Sequence, residues 1–560
     1  MTRSATAFAL FAAATLTPAF ATDWYVDLAA NCVVADGSAA RPFCSVGAAV
    51  AAANHGDRVL VRPGTYFESL AIVDDIEVIG VSGAAVTVID AAQSGFAVDA
   101  SGVRLTLVGL TLMNGRAAVG AGVHSQDCDL ELRHCRVTSN FAFGSVPSVA
   151  GGQGAGIWTS GGTLTLVGVR IDGNVAQIGV SSLYPGFGGG IASLNTSRVV
   201  LRHTTIEDNS AERFAAVYLT GAAHVELESV TVRRSSSLTA CSSTLGVVLC
   251  DDALFESCTF SSENASGEGL RVQVAGAAGA RVDHCTFTGG CAPSVGFWRD
   301  NGATGTLTIA NSLVAGATPI VSPTPGGYQS GGHNLFEAAL APAYGFVTGV
   351  QGDTVGLGLG ALQLGPCQDN GGATWTIKPG AASPALGAAD PLGLVATDQR
   401  GAPRLGAVRD SGAFEATRAS ATTVCVALPN STGRAGALDV TGDSALAARA
   451  LALTAYHLPA HATCLFLTSR TAQLTTAPGG SAGNLCLGLP AGSFARPGEL
   501  RDSGPYGICA LPIDPLDLPQ PTGAVAALVG ETWVFQAWHR DVAGAGATSN
   551  FTDAAALLLQ

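Results

Sequence analysis

Four side chains able to move a proton or hold a charge fall within seven residues in the stretch VVLRHTTIEDN, residues 199–209: Arg202, His203, Glu207 and Asp208. Stretches of the same shape recur nearby. LTLVGVRIDGN carries Arg170 and Asp172, LELRHCRVTSN carries His134 and Arg136, and VELESVTVRRS carries Arg233. Two carboxyl groups held about 5–5.5 Å apart are the geometry of a retaining glycosidase. Arginine acting as base, with a cation such as Ca²⁺ stabilising the carboxylate next to the abstracted proton, describes β-elimination instead. An imidazole in the same place is a candidate general base. Which chemistry is open depends on the face each side chain is given.

That face is set by a repeat. Eight stretches align, beginning at Leu105, Leu130, Leu164, Val199, Val225, Ala253, Ala280 and Leu307, at spacings of 25, 34, 35, 26, 28, 27 and 27 residues. The third position is apolar throughout (Leu107, Leu132, Leu166, Leu201, Leu227, Phe255, Val282, Ile309). So is the eighth (Leu112, Val137, Ile171, Ile206, Val232, Phe260, Phe287, Val314). Each unit reads as two short strands with inward residues two apart and a bend between them. A third strand lies between units, in GAGVHS, GAGIWTS and GGGIAS. Three short strands per repeat of about 25 residues describe a coil of a parallel β-helix, which buries its inner face only by stacking.

The repeat reassigns the candidate residues. The fifth position reads Gly109, His134, Gly168, His203, Ser229, Ser257, His284 and Asn311, types that tolerate left-handed backbone. The three histidines there are expected to be corner residues. Asn140, Asn174 and Asn209 at the eleventh position read as a turn ladder bonding backbone groups. Cys135, Cys258 and Cys285 share an inward column, where a Cys258–Cys285 disulfide between neighbouring coils is one outcome. Positions seven and nine point outward. They carry Arg136 and Thr138, Arg170 and Asp172, Thr205 and Glu207, Thr231 and Arg233. Stacking places Asp172 beside Glu207, about 5 Å apart at Cβ, with Arg170 and Arg233 flanking. The candidate catalytic residues are therefore Asp172, Glu207, Arg170 and Arg233. The plainer reading is an exposed ladder of mutually paired charges, common and weakly stabilising.

The two longest repeats carry insertions from Phe141 and from Val175, which leave the same point of the coil and are expected to project beside the charged patch. Phe143, Tyr184 and Phe187 in them could stack on sugar rings, with Arg136 alongside, so these four are the candidate substrate-binding residues. A Ca²⁺-dependent enzyme needs several converging carboxylates, and only Asp172, Glu207 and Asp208 lie close in this register. No metal or other cofactor is expected, Ca²⁺ being the one ion the patch could recruit.

Composition excludes other classes. A net charge of −14 over 560 residues argues against a nucleic-acid partner, which needs a basic footprint. The opening residues, basic at Arg3, then apolar, then Ala19-Phe20-Ala21, read as a secretory signal peptide over residues 1–21. No later run is apolar enough to insert in a membrane. Fourteen cysteines fit an oxidising compartment, with Cys32–Cys44 and Cys241–Cys250 close enough to close small loops.

The entry segment PFCSVGAAVAAANHGDRVLVRPGTYFESL, followed by the repeats, resembles the secreted pectate-lyase-like right-handed β-helix superfamily. That resemblance implies an all-β fold, a right-handed parallel β-helix over residues 22–330 with three strands per coil. Ser45 would cap a short helix that plugs the open end of the coil. Residues 331–416, from GGHNLF through CQDNGGATWTIKPGAASPAL to TDQRGAPRLGAVRDSGAFE, resemble the β-helix-terminating module called choice-of-anchor Q. Their charges Asp398, Arg400, Arg404, Asp410 and Glu415 are expected to fix irregular loops. After a linker at 417–422, residues 423–560 resemble an all-β C-terminal module of secreted planctomycete proteins, expected to be a small β-sandwich with Trp533 and Phe535 in its core. Two functions stand. The first is a secreted, rigid, non-catalytic scaffold that binds a polysaccharide or cell-surface glycan. The second is a polysaccharide lyase or glycoside hydrolase acting at the outward face.

Overall fold

The computed structural model describes residues 21–560 apart from 145–151, 179–185, 238–244, 263–269, 290–296, 299–304, 317–325, 407, 417–420 and 544–545. The expected signal peptide and most of the linker lie outside the described residues, as do Tyr184 and Cys241. Three parallel sheets of 19, 12 and 5 strands, built from successive coils, form a right-handed β-helix. Among the described residues, no helix is long and apolar enough to cross a membrane.

The two apolar columns stack as the repeat requires. Leu107, Leu132, Leu166, Leu201, Leu227, Phe255, Val282 and Ile309 pair in unbroken register and are fully buried. The column from Leu112 to Val314 does the same on the second sheet. Each such aliphatic side chain contributes about 1.5–3 kcal/mol by leaving water, and only neighbouring coils can supply the dry interior. At the N-terminal end the helix Val46–Ala52 closes that interior with Val46, Ala49 and Val50. Ser45 caps it by accepting from the Ala48 amide, and the Glu68 carboxylate accepts from Val46 and Gly47.

The two bends within each repeat are left-handed, but not both where the sequence placed them. All eight residues at position five have φ between 48 and 66°. The second left-handed column is position ten, at Asn114, Ser139, Gly173, Asp208 and Arg234. The asparagines at position eleven turn inward instead. Asn140 Nδ2 donates to Asn174 Oδ1 at 2.9 Å, and Asn174 Nδ2 donates to Asn209 Oδ1 at 2.9 Å. The Asn140, Asn174 and Asn209 amides donate to the Leu112, Val137 and Ile171 carbonyls respectively, while the Oδ1 atoms accept from backbone amides. Every buried polar group in this corner is satisfied by its neighbour coil. Cys258 and Cys285 also stack, but as thiols rather than a disulfide. Directly paired parallel positions lie about 4.8 Å apart, wider than the ~3.8 Å Cβ separation a disulfide prefers.

Beyond the strands Tyr328–Gly332, Leu335–Phe336 and Thr354–Val355 the chain turns back along the outside of the second sheet. Outward threonines of successive coils anchor it. Thr231 Oγ1 donates to the Trp375 carbonyl (2.5 Å), Thr259 Oγ1 donates to Gln399 Oε1 (2.6 Å), and Thr286 Oγ1 accepts from the Ala413 amide (2.9 Å). The five charges expected to fix its loops, Asp398, Arg400, Arg404, Asp410 and Glu415, are buried. Arg400 lies over the Phe414 ring and bonds Asp398 and Asp439, and Arg404 pairs with Glu415. The C-terminal part is a second, antiparallel unit. Its six-stranded sheet buries Trp533, Phe535 and Ala537 against a three-stranded sheet. The opposite face packs Val534 and Trp538 with Leu485, Leu487 and Phe551.

Candidate functional site

The second sheet brings the four candidate catalytic residues together. Asp172 pairs in register with Glu207, Arg136 with Arg170, and Glu207 with Arg233. They do not form an open patch. Asp172, Glu207 and Arg233 are 8, 3 and 2% exposed. The expectation of a solvated face fails because Arg136 and Arg170 lie over the two carboxylates and the returning segment lies over Arg233. The Arg233 guanidinium sits 3.8 Å from the Trp375 ring centroid and donates to the Cys367 carbonyl. Spacing within the repeat carries no information about a segment more than a hundred residues downstream.

Both oxygens of both carboxylates accept from arginine. Arg136 grips Asp172 through Nε (2.8 Å) and Nη2 (2.6 Å), while Arg170 Nη2 reaches Glu207 Oε1 at 2.7 Å. Arg233 Nε and Arg234 Nη2 approach Glu207 Oε2 at 2.8 and 3.2 Å, and Arg234 also pairs with Asp208. This is a charge ladder, as the plainer reading held, but a covered one. Arg136 and Arg170 stay about half exposed at its open end.

Where the ladder meets the first bend, a cavity of about 180 Å³ is lined by His134, Arg170, His203, Glu207, Trp375 and Tyr506. Tyr506 comes from the C-terminal unit, its ring 4.6 Å from that of His203 and 5.4 Å from that of His134. Gly168, between the two histidines in the corner column, makes room for it. A Cβ there would lie 2.8 Å from His134 Nδ1 and 2.9 Å from Tyr506 Cε1. Burial, with Arg202 nearby, pushes the His203 imidazole down to about 4; His134 is lowered by burial, His461 and Arg133. The Tyr506 phenol is pushed up to about 12 by burial and by Glu228. Corner geometry for the histidines is therefore right, and their rings serve a contact that the sequence did not reveal.

The candidate binding aromatics separate. Phe143 lies in the third-sheet strand Phe141–Gly144, stacked on Phe141 at 5.9 Å, whereas Phe187 lies on the approach to the first sheet. Neither flanks the charged ladder, because the insertions leave after the third sheet and lead into the first. Tyr184 is outside the described residues. Phe187 instead belongs to an aromatic row on the outside of the first sheet. Phe96 stacks on His124 at 4.7 Å and His124 on Trp158 at 4.8 Å; Phe187 stacks on Tyr218 at 4.8 Å, and Tyr218 on Phe214 at 5.2 Å. His124, Trp158, Ala192 and Tyr218 are consecutive partners in register, and His124 Nδ1 is fixed 2.7 Å from Asp99 Oδ1. The signal was available: these residues hold the first outward position of the third strand in GAGVHS, GAGIWTS, GGGIAS and AAVYLT.

Chemically, the ladder presents neutralised charge and the row presents half-buried ring faces. Among the described residues, no group of three or more His, Cys, Asp or Glu side chains could hold a metal ion.

A family model described as "Right handed beta helix region" matches residues 167–314. A solved structure titled "Crystal structure of pectate lyase Pel9A" is similar at 13% sequence identity and a TM-score of 0.37, over 71% of this chain and 96% of that chain. No curated protein matches.

Proposed function

We propose that the protein is a secreted, non-catalytic β-helix scaffold that binds a polysaccharide or cell-surface glycan along the aromatic row of its first sheet. The observation that carries this reading is the stacking of Phe96, His124 and Trp158 and of Phe187, Phe214 and Tyr218 on successive coils. Aromatic faces offer large, rigid contact area at low entropic cost, and coils about 4.8 Å apart repeat that contact along the axis. The covered ladder weighs against the lyase or hydrolase reading. A general acid or nucleophile must reach the reacting atom, and Asp172 and Glu207 spend both oxygens on arginine. The two cystines Cys32–Cys44 and Cys425–Cys486 support export to an oxidising compartment.

The test is affinity electrophoresis and calorimetry against a panel of neutral and acidic polysaccharides, with product analysis in parallel. The expected result is retention by at least one glycan, weakened about 5–50-fold in Trp158→Ala or Tyr218→Ala, corresponding to about 1–2 kcal/mol of lost ring contact. Unsaturated sugar products or new reducing ends, abolished in Glu207→Gln, would replace this reading with the enzymatic one.

A further inference from the structure

The C-terminal unit holds a cysteine pair whose placement goes beyond packing. Cys464 lies in Thr463–Ser469 of the six-stranded sheet and Cys509 opens Cys509–Ile513 of the facing three-stranded sheet. Both side chains point into the core shared by the two sheets and are at most 1% exposed. The chain between them forces the approach. Arg501 and Asp502 pair with Cys464 and Thr463, and Ala462 exchanges hydrogen bonds with Ser503. The Ile508 amide then closes a turn onto the Ser503 carbonyl at 2.7 Å. Cys509, the next residue, is thereby delivered across the corner to Cys464. The two thiols interact directly, and the Cys509 sulfhydryl together with burial pushes Cys464 well above the usual thiol value.

We propose that Cys464 and Cys509 are a disulfide site, a cross-link between the two sheets of the C-terminal unit that forms when the protein folds in an oxidising compartment. In the step each thiol loses one proton and one electron and the sulfurs join. The two electrons and two protons pass to an oxidant of the disulfide class, such as oxidised glutathione, which leaves as two thiols. The pair sits where cross-links occur, in a chain already carrying two cystines. It also has a target. The turn bounded by Ser503 and Cys509 carries Tyr506, the ring set between His134 and His203 of the β-helix. Closing the pair ties that turn at both ends, to Thr463–Ser469 through backbone hydrogen bonds and through sulfur, so oxidation fixes the ring by which this unit grips the coil.

The experiment uses the full chain, refolded in a glutathione redox buffer, quenched in acid, alkylated without reduction and digested for mass spectrometry. The expected result is a cross-linked peptide joining Cys464 to Cys509, lighter by two hydrogens than the reduced pair, and absent from Cys464→Ser and Cys509→Ser. Because those variants could misfold, the wild-type peptide map decides. Reduction of the wild type should lower the melting temperature of the C-terminal unit by roughly 5–10 °C more than it does in the double serine variant. Recovery of both residues alkylated as thiols, or of either bonded to a different cysteine, overturns the proposal.

Discussion

His203 shows how one residue serves two demands. Its backbone must adopt φ 49° at the first bend, and its ring must face Tyr506. The first demand is legible in the sequence, since histidine shares its column with Gly, Ser and Asn. The second is not, because Tyr506 lies some three hundred residues downstream and no local pattern announces it. The ring has a thermodynamic signature. An imidazole near 4 in the folded protein and near 6.5 in the unfolded chain binds fewer protons when folded. Its contribution is complete above pH 6.5 and is lost as pH falls from there towards 4. Asparagine also tolerates the left-handed bend but does not titrate. Between pH 7 and 4.5 the melting temperature of His203→Asn should therefore fall by roughly 2–4 °C less than that of the wild type. Equal falls would show that the ring is not held neutral by the fold.

At the scale of the coil, the strands were readable and one corner was misplaced by a residue. Columns three and eight announce themselves because an inward aliphatic residue has no substitute in a stacked interior. The asparagine column was visible as a set of like residues, yet a turn-forming residue and an inward amide ladder leave the same mark in one sequence. What distinguishes them is partner geometry. Asn174 alone joins Asn140, Asn209 and the Val137 carbonyl through buried hydrogen bonds. Asn174→Ala leaves those groups unsatisfied and should destabilise the β-helix by roughly 2–4 kcal/mol, measured by chemical denaturation. Asn174→Asp removes the donor while keeping the acceptor and should also destabilise, which a plain turn position would not require. Outward positions proved the least legible. Identical threonines at position seven bond a nearby turn on one coil, as Thr111 does the Ala84 carbonyl, and anchor a distant segment on another, as Thr231 does.

The molecule joins a coil that could be of any length to a returning segment that could not. Among the described residues, the hydrogen bonds and ring contacts from the returning segment and from Tyr506 begin only at His134, and ahead of it each coil is paired with its two neighbours. Excision of residues 105–129, one full period, should therefore give a protein that folds cooperatively, with circular dichroism and a melting temperature within about 10 °C of the parent. Excision of residues 253–279 removes an equivalent period but takes away the Thr259 anchor and displaces Thr286 by about 4.8 Å relative to Thr231. That variant should expose apolar surface and aggregate. The line of threonines Thr231, Thr259 and Thr286, hydrogen-bonded to Trp375, Gln399 and Ala413, thus acts as a ruler. It lets insertions and losses of whole periods accumulate at one end of the rod while fixing the count at the other, and because Tyr506 already spans His134 and His203, length variation among descendants of this chain should gather ahead of His134.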